Sequence, residues 1–281
     1  MVNYNGQLLS KTERFFNQDN RGLQYGDALF ETIRVVNDKL FFWEDHYFRL
    51  MASMRILRME IPMEFTMEFL EEEIAKTIEA NNLDTSGSRV KLIVFRKPGG
   101  FYTPESMGID YVIKVEPLKD LFYILSEDSY EVELFKDYYI NPDMLSNLKT
   151  TNKILNVVAG VYAKENGYQN CLLLNNRKQV VEAINGNLFL VKGNTIKTPP
   201  LEDGCLDGIV RKVLIGLLEN LEEFEIIQES ISPFELQKAD ELFTTNAITG
   251  IVPITKYRKK EFQVGVSKSL IGKLNARARL A

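Results

Sequence analysis

The sequence predicts an α+β fold. Segments with strand character are mixed with amphipathic helical segments along the 281 residues, and turn signals between neighbouring strands indicate many hairpins. No Gly-x-Gly-x-x-Gly sequence follows a predicted strand, which argues against a parallel dinucleotide-binding sheet. A chain of this length suffices for one large domain or for two smaller ones with a sizeable core.

The first half of the chain is expected to form strands and two helices. In order, these are a strand at 27–36, a turn at 36–39, a returning strand at 40–43, helices at about 44–59 and 63–81, and strands at 89–96 and 109–117. The first helix is indicated by Leu50, Met54 and Leu57, which lie on one stripe. Asn82-Leu83-Asp84 ends the second helix, and Pro98-Gly99-Gly100 breaks the strand at 89–96.

The second half is expected to follow a crossing between two halves at about 124–146. The predicted elements are a helix at about 152–165, two strands around Asn175-Asn176-Arg177, a hairpin at Gly193-Asn194, a helix at about 208–220, a strand-rich end and a final helix at 267–279. Asn166-Gly167 is a typical stop for the helix at 152–165.

Composition excludes several classes of protein. A net charge of −5 argues against a sequence-independent nucleic-acid binder, which needs a basic surface. The two cysteines and the single histidine, His46, cannot supply a zinc site of the usual Cys and His pattern, and no metal is expected. The N-terminus is polar and no apolar run reaches about 18 residues, so we expect a cytoplasmic protein that binds no membrane.

Five motifs occur in a fixed order along the chain. They are Tyr25-Gly26-Asp27-Ala28-Leu29-Phe30-Glu31-Thr32-Ile33-Arg34, then His46-x-x-Arg49-Leu50, then Lys149-Thr150-Thr151-Asn152, then Val180-Val181-Glu182 with Asn187 and Phe189, and then Thr198-Pro199-Pro200 with Leu206-Asp207-Gly208-Ile209-Val210-Arg211. Together they resemble the class IV aminotransferases, the family of branched-chain aminotransferase, D-amino-acid aminotransferase and aminodeoxychorismate lyase. The resemblance extends from about residue 20 to residue 254, and the joint match is more specific than any single motif.

The resemblance implies a fold and a cofactor. The fold is the type IV fold of pyridoxal-phosphate (PLP) enzymes, similar to D-amino-acid aminotransferase, with two domains and the cofactor between them. The expected limits are a smaller N-terminal α+β domain at 1–120 and a larger C-terminal PLP-binding domain, similar to an α/β barrel, at 121–281. Relatives are homodimers whose pocket is completed by the partner chain, and we expect the same here.

The resemblance also implies which residues hold PLP. Lys149 is the catalytic lysine that forms a Schiff base with the cofactor and moves the substrate proton; Lys153 is its rival in the sequence, but the family spacing favours Lys149. Glu182 pairs with the pyridine nitrogen, and the guanidinium of Arg49 suits the phosphate. The other residues expected to contact the cofactor are Asn187, Ile209, Val210, Asn246 and Ala247.

The phosphate site departs from the family pattern at one position. Backbone N–H groups at a helix start suit a phosphate. Val210 stands where the family has a threonine, so a hydroxyl contact to the phosphate is lost and the backbone donor is kept.

The expected substrate is a small molecule with an amino group. The residues predicted to contact it are Tyr25, Phe30, Arg96, Tyr102 and Ile248. Arg96 resembles an arginine that the D-amino-acid and lyase branches use on the substrate carboxylate.

Two activities remain open, with a third as a remote alternative. The Lys149-x-x-Asn152 spacing favours the D-amino-acid and lyase branches, whereas Asn246-Ala247-Ile248 and Pro98-Gly99-Gly100-Phe101-Tyr102 look most like aminodeoxychorismate lyase. The lyase commonly has a second arginine after the Gly-Gly pair, and this arginine is absent here. A D-amino-acid enzyme usually has a histidine near that arginine, and this histidine is absent too. Transamination leads as the commoner activity, the lyase is the alternative, and a non-catalytic PLP-binding protein is the remote one.

Overall fold

The structure is a computed structural model that describes residues 1–83 and 87–280. It forms two compact units, of which the first contains residues 1–121 and 149–152 and the second contains residues 122–148 and 153–280. The predicted domains, 1–120 and 121–281, and the assignment of PLP binding to the second of them stay predictions. The predicted helix stop at Asn82-Leu83-Asp84 ends in Asp84, which lies outside the described residues.

The first unit is an antiparallel sheet with helices. Its strands are β1 (Val2–Tyr4), β2 (Gln7–Leu9), β3 (Ala28–Val36), β4 (Lys39–Leu40), β5 (Ser88–Arg96) and β6 (Ile109–Pro117), and its helices are α1 (Arg21–Tyr25), α2 (Trp43–Ile56) and α3 (Met67–Glu79). The strands lie in the order β2-β1-β6-β5-β3-β4, and every neighbouring pair is antiparallel.

The two faces of this sheet carry different side chains. One face is apolar and packs against α2 and α3 through residues such as Leu29, Ile33 and Leu92. On the other face, Phe30 pairs with Ile93 while Thr32 pairs with Lys91, so Phe30 and Lys91 are diagonal neighbours on one side of the sheet.

The predicted return strand at 40–43 is wrong beyond Leu40. Phe42 has a left-handed backbone (φ 57°), which turns the chain out of the sheet, and α2 begins at Trp43. The predicted helix at 63–81 begins only at Met67, because the side chain of Thr66 accepts a hydrogen bond from the N–H of Phe69 and caps the helix there. The strands predicted at 27–36, 89–96 and 109–117 are confirmed to within one residue.

The second unit contains a larger, mixed sheet. Its strands are β7 (Glu131–Ile140), β8 (Asn170–Asn175), β9 (Val180–Ala183), β10 (Gly186–Lys192), β11 (Thr195–Thr198), β12 (Glu225–Gln228), β13 (Glu241–Asn246), β14 (Gly250–Ile254), β15 (Lys256–Tyr257) and β16 (Lys260–Glu261). Its helices are α4 (Ile154–Glu165), α5 (Ile209–Leu218), α6 (Pro233–Leu236) and α7 (Val266–Leu280).

Parallel and antiparallel pairs are combined in this sheet. β12-β11-β10-β9-β8-β7-β15-β16 form one path, and β13 joins β10 to β14. The pairs β7–β8, β7–β15 and β11–β12 are parallel, and the others are antiparallel. The predicted hairpin at Gly193-Asn194 is confirmed between β10 and β11, and the predicted strands around Asn175-Asn176-Arg177 are β8 and β9.

One strand of the second unit was not predicted. The expected crossing at 124–146 contains β7, whose second half is mostly exposed and therefore lacks a regular alternation of apolar and polar residues. A core beside it contains inward side chains of neighbouring strands, such as Leu134, Leu172 and Leu188. Phe189 and Phe243 are opposite each other in the β10–β13 pair, and their rings stack with the centroids 5.0 Å apart. Among the described residues, no helix has both the length and the apolar character needed to cross a membrane.

The segment 149–152 is attached to the start of β3. The N–H of Phe30 donates to the carbonyl of Lys149 at 2.9 Å, and the N–H of Thr151 donates to the carbonyl of Ala28 at 3.0 Å. Asn152 Nδ2 donates to the carbonyl of Gly26 at 3.1 Å. Gly26 has a left-handed backbone (φ 62°), and a Cβ there would lie 2.2 Å from Asn152 Oδ1.

Gly26→Ala is therefore expected to destabilise the protein. Backbone strain and the clash with Asn152 should together lower the free energy of unfolding by about 1–3 kcal/mol. Gly160→Ala is the matched control, because Gly160 lies inside α4 and a methyl group added there would meet no atom of another element within 4 Å in the described part of the chain. This control should gain roughly 0.5–1 kcal/mol from its helix propensity. Urea unfolding of both variants checks this, and equal stabilities for the two would contradict it.

Candidate active site

Lys149 lies beside an aromatic ring at the edge of β3. The two backbone hydrogen bonds to Ala28 and Phe30 fix its main chain, and its Nζ lies 4.5 Å from the centroid of the Phe30 ring. Lys153, the rival lysine, occupies the N-cap position of α4 in the second unit. Of the two lysines, the one with the matching family spacing is thus the one held next to Phe30.

A buried carboxylate connects β3 to α2. Glu31 alternates with Phe30 on the strand and points to the opposite face, where its Oε2 lies 2.7 Å from Nδ1 of His46. Arg49 donates to the same carboxylate through Nε, at 2.8 Å from Oε1, and through Nη2. His46 and Arg49 are three residues apart on α2, so one helix face carries both partners.

The pKa values of Glu31 and His46 are both lowered. Burial by itself would raise the pKa of Glu31, but the positive charge of Arg49 and the hydrogen bond from His46 lower it to about 2. Burial lowers the pKa of His46, although the hydrogen bond and the charge of Glu31 oppose this. Arg49 and Lys149 lower the His46 pKa further, so the cluster favours an ionised Glu31 and a neutral His46.

Arg49 is therefore held in place by a residue that the sequence analysis did not single out. Glu31 was quoted only as part of a motif. Its position was nevertheless readable, because the alternation of β3 places it between the buried residues Leu29 and Ile33. A carboxylate at an inward position needs a cationic partner.

Arg96 is buried and makes several contacts to its own chain. Its Nε donates to Asp27 Oδ2 at 2.9 Å, its Nη2 to the carbonyl of Leu57 at 2.7 Å, and its Nη1 to the carbonyl of Arg58 at 3.1 Å. These contacts join the end of β5 to the end of α2. The contact of Arg96 with a substrate stays a prediction.

Arg21, which also pairs with Asp27, holds the loop that follows β5. Arg21 donates to Asp27 Oδ2 at 2.9 Å and to the carbonyl of Phe101 at 2.6 Å. The Tyr25 and Tyr102 rings, both predicted to contact the substrate, lie 5.7 Å apart, and Tyr102 is 91% exposed. The structure thus places Tyr25, at the end of α1, beside Tyr102, which lies on the loop that Arg21 holds.

In the second unit, Glu182 and Asn187 meet on neighbouring strands. They face each other in the β9–β10 pair, and both are buried. Glu182 Oε2 accepts from the N–H of Leu206 at 2.9 Å, and Asn187 Nδ2 donates to the carbonyl of Leu206 at 2.8 Å. The main chain of Leu206 therefore fixes both predicted cofactor residues. A Cβ on Gly208 would lie 1.9 Å from Asn187 Oδ1, so only glycine fits there.

Helix α5 begins directly after this contact. Gly208 is its N-cap and provides no side-chain hydrogen bond, so the first backbone N–H groups at Ile209 and Val210 are available to an anion. Next to Asn187 in the β10–β13 pair lies Thr245, whose Oγ1 is buried and has no hydrogen-bond partner in the part of the chain that the structure describes. Thr245 is a further candidate, which was not among the residues expected to contact the cofactor.

The loop after β13 is held by its own side chain. Asn246 Oδ1 accepts from the N–H groups of Ile248 and Thr249, each at 2.9 Å. The carbonyl of Ala247 accepts from the hydroxyl of Tyr123 at 3.0 Å. The Asn246 side chain and the Tyr123 hydroxyl therefore hold the three predicted residues of this loop, which directly follow Thr245.

Comparisons with known proteins identify the family of the chain. The family model for amino-transferase class IV matches residues 28–257. The chain belongs to the class IV aminotransferase family. Enzymes of this family depend on PLP, so this class IV aminotransferase is a PLP enzyme that acts on small molecules.

The similar proteins are named as different aminotransferases. A protein of Methanocaldococcus jannaschii, provisionally named a branched-chain-amino-acid aminotransferase, is 30% identical over 253 residues, which cover 89% of this chain and 85% of the relative. A D-alanine aminotransferase of Staphylococcus epidermidis is 26% identical and covers 93% and 90% of the two chains.

Solved structures agree in fold. The branched-chain aminotransferase of Thermoproteus uzoniensis with norvaline superposes with a TM-score of 0.86 at 26% identity, covering 97% of this chain and 92% of the other. A provisionally named 4-amino-4-deoxychorismate lyase of Legionella pneumophila gives a TM-score of 0.84 at 26% identity, covering 95% and 97%. These structures confirm the predicted α+β fold of class IV aminotransferases.

The residues of this class IV aminotransferase fit PLP. A primary amine is present at Lys149, a buried carboxylate is present at Glu182, and α5 begins with uncapped backbone donors. The buried Thr245 hydroxyl has no hydrogen-bond partner among the described residues, as expected of a group that donates to the oxygen of a bound ligand. This hydroxyl can supply a donor of the kind that is lost at Val210.

The cluster of Glu31, His46 and Arg49 is expected to make the folded state less stable at low pH. The Glu31 pKa of about 2 lies below its ordinary value of 4.5, so the unfolded chain binds the proton more tightly and stability falls as the pH drops from about 5 towards 2. The lowered pKa of His46 acts in the same direction below its ordinary value of 6.5. Removing the Glu31 charge takes the carboxylate away from the mostly buried Arg49 and should cost about 3–5 kcal/mol at neutral pH.

Urea unfolding of the wild type and Glu31→Gln between pH 7 and pH 3 checks this. We expect the difference in unfolding free energy to shrink between pH 5 and pH 3, as Glu31 becomes protonated in the unfolded wild-type chain. Glu71→Gln, on an exposed position of α3, is the control and should follow the wild type. A difference between wild type and Glu31→Gln that stays constant with pH would contradict the low pKa.

Proposed function

We propose that this protein is an aminotransferase that moves an amino group between an amino acid and a 2-oxo acid, with Lys149 as the lysine that carries PLP. The observation that supports this most directly is the position of Lys149. Its main chain is hydrogen-bonded to β3 on both sides of Thr150, and its amine lies 4.5 Å from the Phe30 ring centroid.

Each proposed role follows from the chemistry of the side chain. When bound, PLP supplies an aldehyde that condenses with primary amines and a ring that accepts an electron pair. Lys149 Nζ holds the cofactor and takes the proton from the α-carbon of the substrate. Glu182, oriented by the N–H of Leu206, holds a proton on the ring nitrogen.

The phosphate is proposed to meet donors of three kinds. The backbone N–H groups of Ile209 and Val210 bind it at the positive end of α5. The guanidinium of Arg49, which Glu31 orients, binds it by charge. The Thr245 hydroxyl replaces the hydroxyl that Val210 lacks.

The second candidate function is that of aminodeoxychorismate lyase, which releases pyruvate and 4-aminobenzoate for folate synthesis. The loop Asn246-Ala247-Ile248 favours it, because this sequence resembles the lyase branch and the Asn246 side chain fixes its shape. The similarity to a protein named as that lyase is also consistent with it. A non-catalytic PLP-binding protein is disfavoured, since both Lys149 and Glu182 are present.

A homodimer is also proposed. Ile154, Val157 and Val161 lie along one face of α4 and are 74%, 57% and 51% exposed. An apolar stripe of this kind is costly to leave in water and suits a partner surface, here a second copy of the chain. The contribution of the partner chain to the pocket and the cytoplasmic location stay predictions.

The assignment of Lys149 is tested by fixing the cofactor chemically. After addition of PLP and reduction with borohydride, peptide mass spectrometry should find the pyridoxyl group on Lys149. Lys149→Ala should lose this label, the visible absorbance of bound PLP and at least about 10³-fold of the activity, whereas Lys153→Ala should keep all three. A label that remains in Lys149→Ala, or that moves to Lys153 in the wild type, would refute the assignment.

Assays with candidate substrates distinguish the aminotransferase from the lyase. Bleaching of the PLP absorbance by D-alanine, L-glutamate or a branched-chain amino acid, with release of the 2-oxo acid, identifies the aminotransferase and its donor. Release of 4-aminobenzoate from aminodeoxychorismate, without a response to those donors, identifies the lyase. No reaction with any of them, with PLP bound to Lys149, supports the non-catalytic alternative.

A further inference from the structure

The two ring nitrogens of His46 have different surroundings. Nδ1 lies 2.7 Å from Oε2 of Glu31, whereas Nε2 is buried and has no hydrogen-bond partner within residues 1–83 and 87–280. The His46 side chain is only 1% exposed, so bulk water does not reach the ring. A buried polar nitrogen without a partner is unfavourable, and a group that bonds to it in some state of the protein explains its presence.

The bond to Glu31 decides which nitrogen carries the proton. Although burial opposes it, the charge of Arg49 and the hydrogen bond from His46 hold the pKa of Glu31 at about 2, so this carboxylate is ionised and only accepts hydrogen bonds. Burial lowers the pKa of His46, and its ring is therefore neutral with a single proton. That proton lies on Nδ1 and is donated to Glu31, so Nε2 presents a lone pair.

Lys149 is held next to this pair. Its carbonyl accepts from the N–H of Phe30, the residue that precedes Glu31 on β3, and both segments belong to the first compact unit. Besides burial, which is the larger cause, the charge of Lys149 lowers the pKa of His46, in agreement with a short distance between the two side chains.

Three charged residues act on the His46 ring, namely Glu31 of β3, Arg49 of α2 and Lys149. Glu31 accepts from Nδ1, and Arg49 donates to Glu31 through Nε and Nη2. The ammonium of Lys149 has N–H donors and no acceptor, which suits the lone pair on Nε2.

We propose that His46 is a positioning residue for Lys149, whose protonated amine donates a hydrogen bond to Nε2, directly or through one water molecule. The bond forms when Lys149 Nζ has taken the proton from the α-carbon of the substrate, and it holds the resulting ammonium in the site. No proton passes to His46, and Glu31 fixes the orientation of the ring. The proposal rests on the proposed function, because it takes Lys149 as the residue that receives this proton.

Two variants separate the two ring nitrogens. In His46→Asn, the amide nitrogen lies at about the position of Nδ1 and keeps a donor for Glu31, but nothing replaces Nε2. In His46→Gln, the longer side chain places an amide oxygen near the position of Nε2 as an acceptor, but the donor to Glu31 is lost. A purely structural role of His46 predicts more damage in His46→Gln, whereas the proposed role predicts more damage in His46→Asn.

The protonation of Lys149 is measured with both variants and the wild type loaded with pyridoxamine 5'-phosphate, which has no aldehyde and leaves the lysine amine unbound. Acetylation of Lys149 is followed against pH by peptide mass spectrometry, because only the neutral amine reacts. Lys153, at the start of α4 in the second unit, is the internal reference.

In His46→Asn, the midpoint of the Lys149 curve should move to lower pH by about one unit, because the ammonium loses a charge-assisted hydrogen bond. In His46→Gln the midpoint should stay close to that of the wild type. The curve of Lys153 should be the same in all three proteins.

Kinetics of the PLP-loaded enzymes give a second measurement, with the amino donor that bleaches the PLP absorbance of the wild type. His46→Asn should lower kcat roughly tenfold with a smaller change in KM, because the lost bond forms only after the proton has begun to move. His46→Gln should keep most of the wild-type kcat.

Two results would overturn the proposal or its basis, and they are distinguishable. If the Lys149 midpoint in His46→Asn equals that of the wild type, or if His46→Gln shifts it as much, His46 does not position the amine, while the proposed function stands. If the wild type itself carries no pyridoxyl label on Lys149 after borohydride reduction, the proposed function fails, and the role of His46 fails with it.

Discussion

The hydrogen bonds between residues 149–152 and the start of β3 are the constraint on which the candidate active site depends. This short segment is preceded and followed along the chain by residues of the second unit, yet its main chain pairs with Ala28 and Phe30. Pairing on both sides of Thr150 fixes the backbone of Lys149, so only the side-chain torsions decide where its amine lies. The left-handed backbone of Gly26 lets Asn152 complete the attachment.

Two buried carboxylates are stabilised in different ways. Glu31 is balanced by the charge of Arg49 and by His46, and its lowered pKa follows from that balance. Glu182 receives a hydrogen bond from the backbone of Leu206, whose carbonyl also orients Asn187. Because a buried carboxylate without partners would be very costly, each one organises the residues around it. In the first unit this fixes an arginine, and in the second it fixes the strand pair that precedes α5.

The residues of the family motifs do not all have the same structural role. Asp27 and Arg96 both belong to segments that resemble the family, yet they bond to each other and to main-chain carbonyls. Lys91 belongs to no motif and lies beside the Phe30 ring. A motif indicates which residue type is needed at a position. Only the contacts in the structure show whether that residue holds the backbone or faces a ligand.

The sequence by itself determined the α+β class, the strands at 27–36, 89–96 and 109–117, the hairpin at Gly193-Asn194 and the family, because these depend on local patterns of side chains and on motifs in a fixed order. Tertiary structure decided the order of the strands, the presence of β7, the pairing of Glu31 with His46 and Arg49, and the approach of Lys91 and Lys149 to one ring. These features depend on register and packing between residues far apart in the chain. A local pattern fixes the conformation of a segment, but it carries no information about which distant segment lies opposite it.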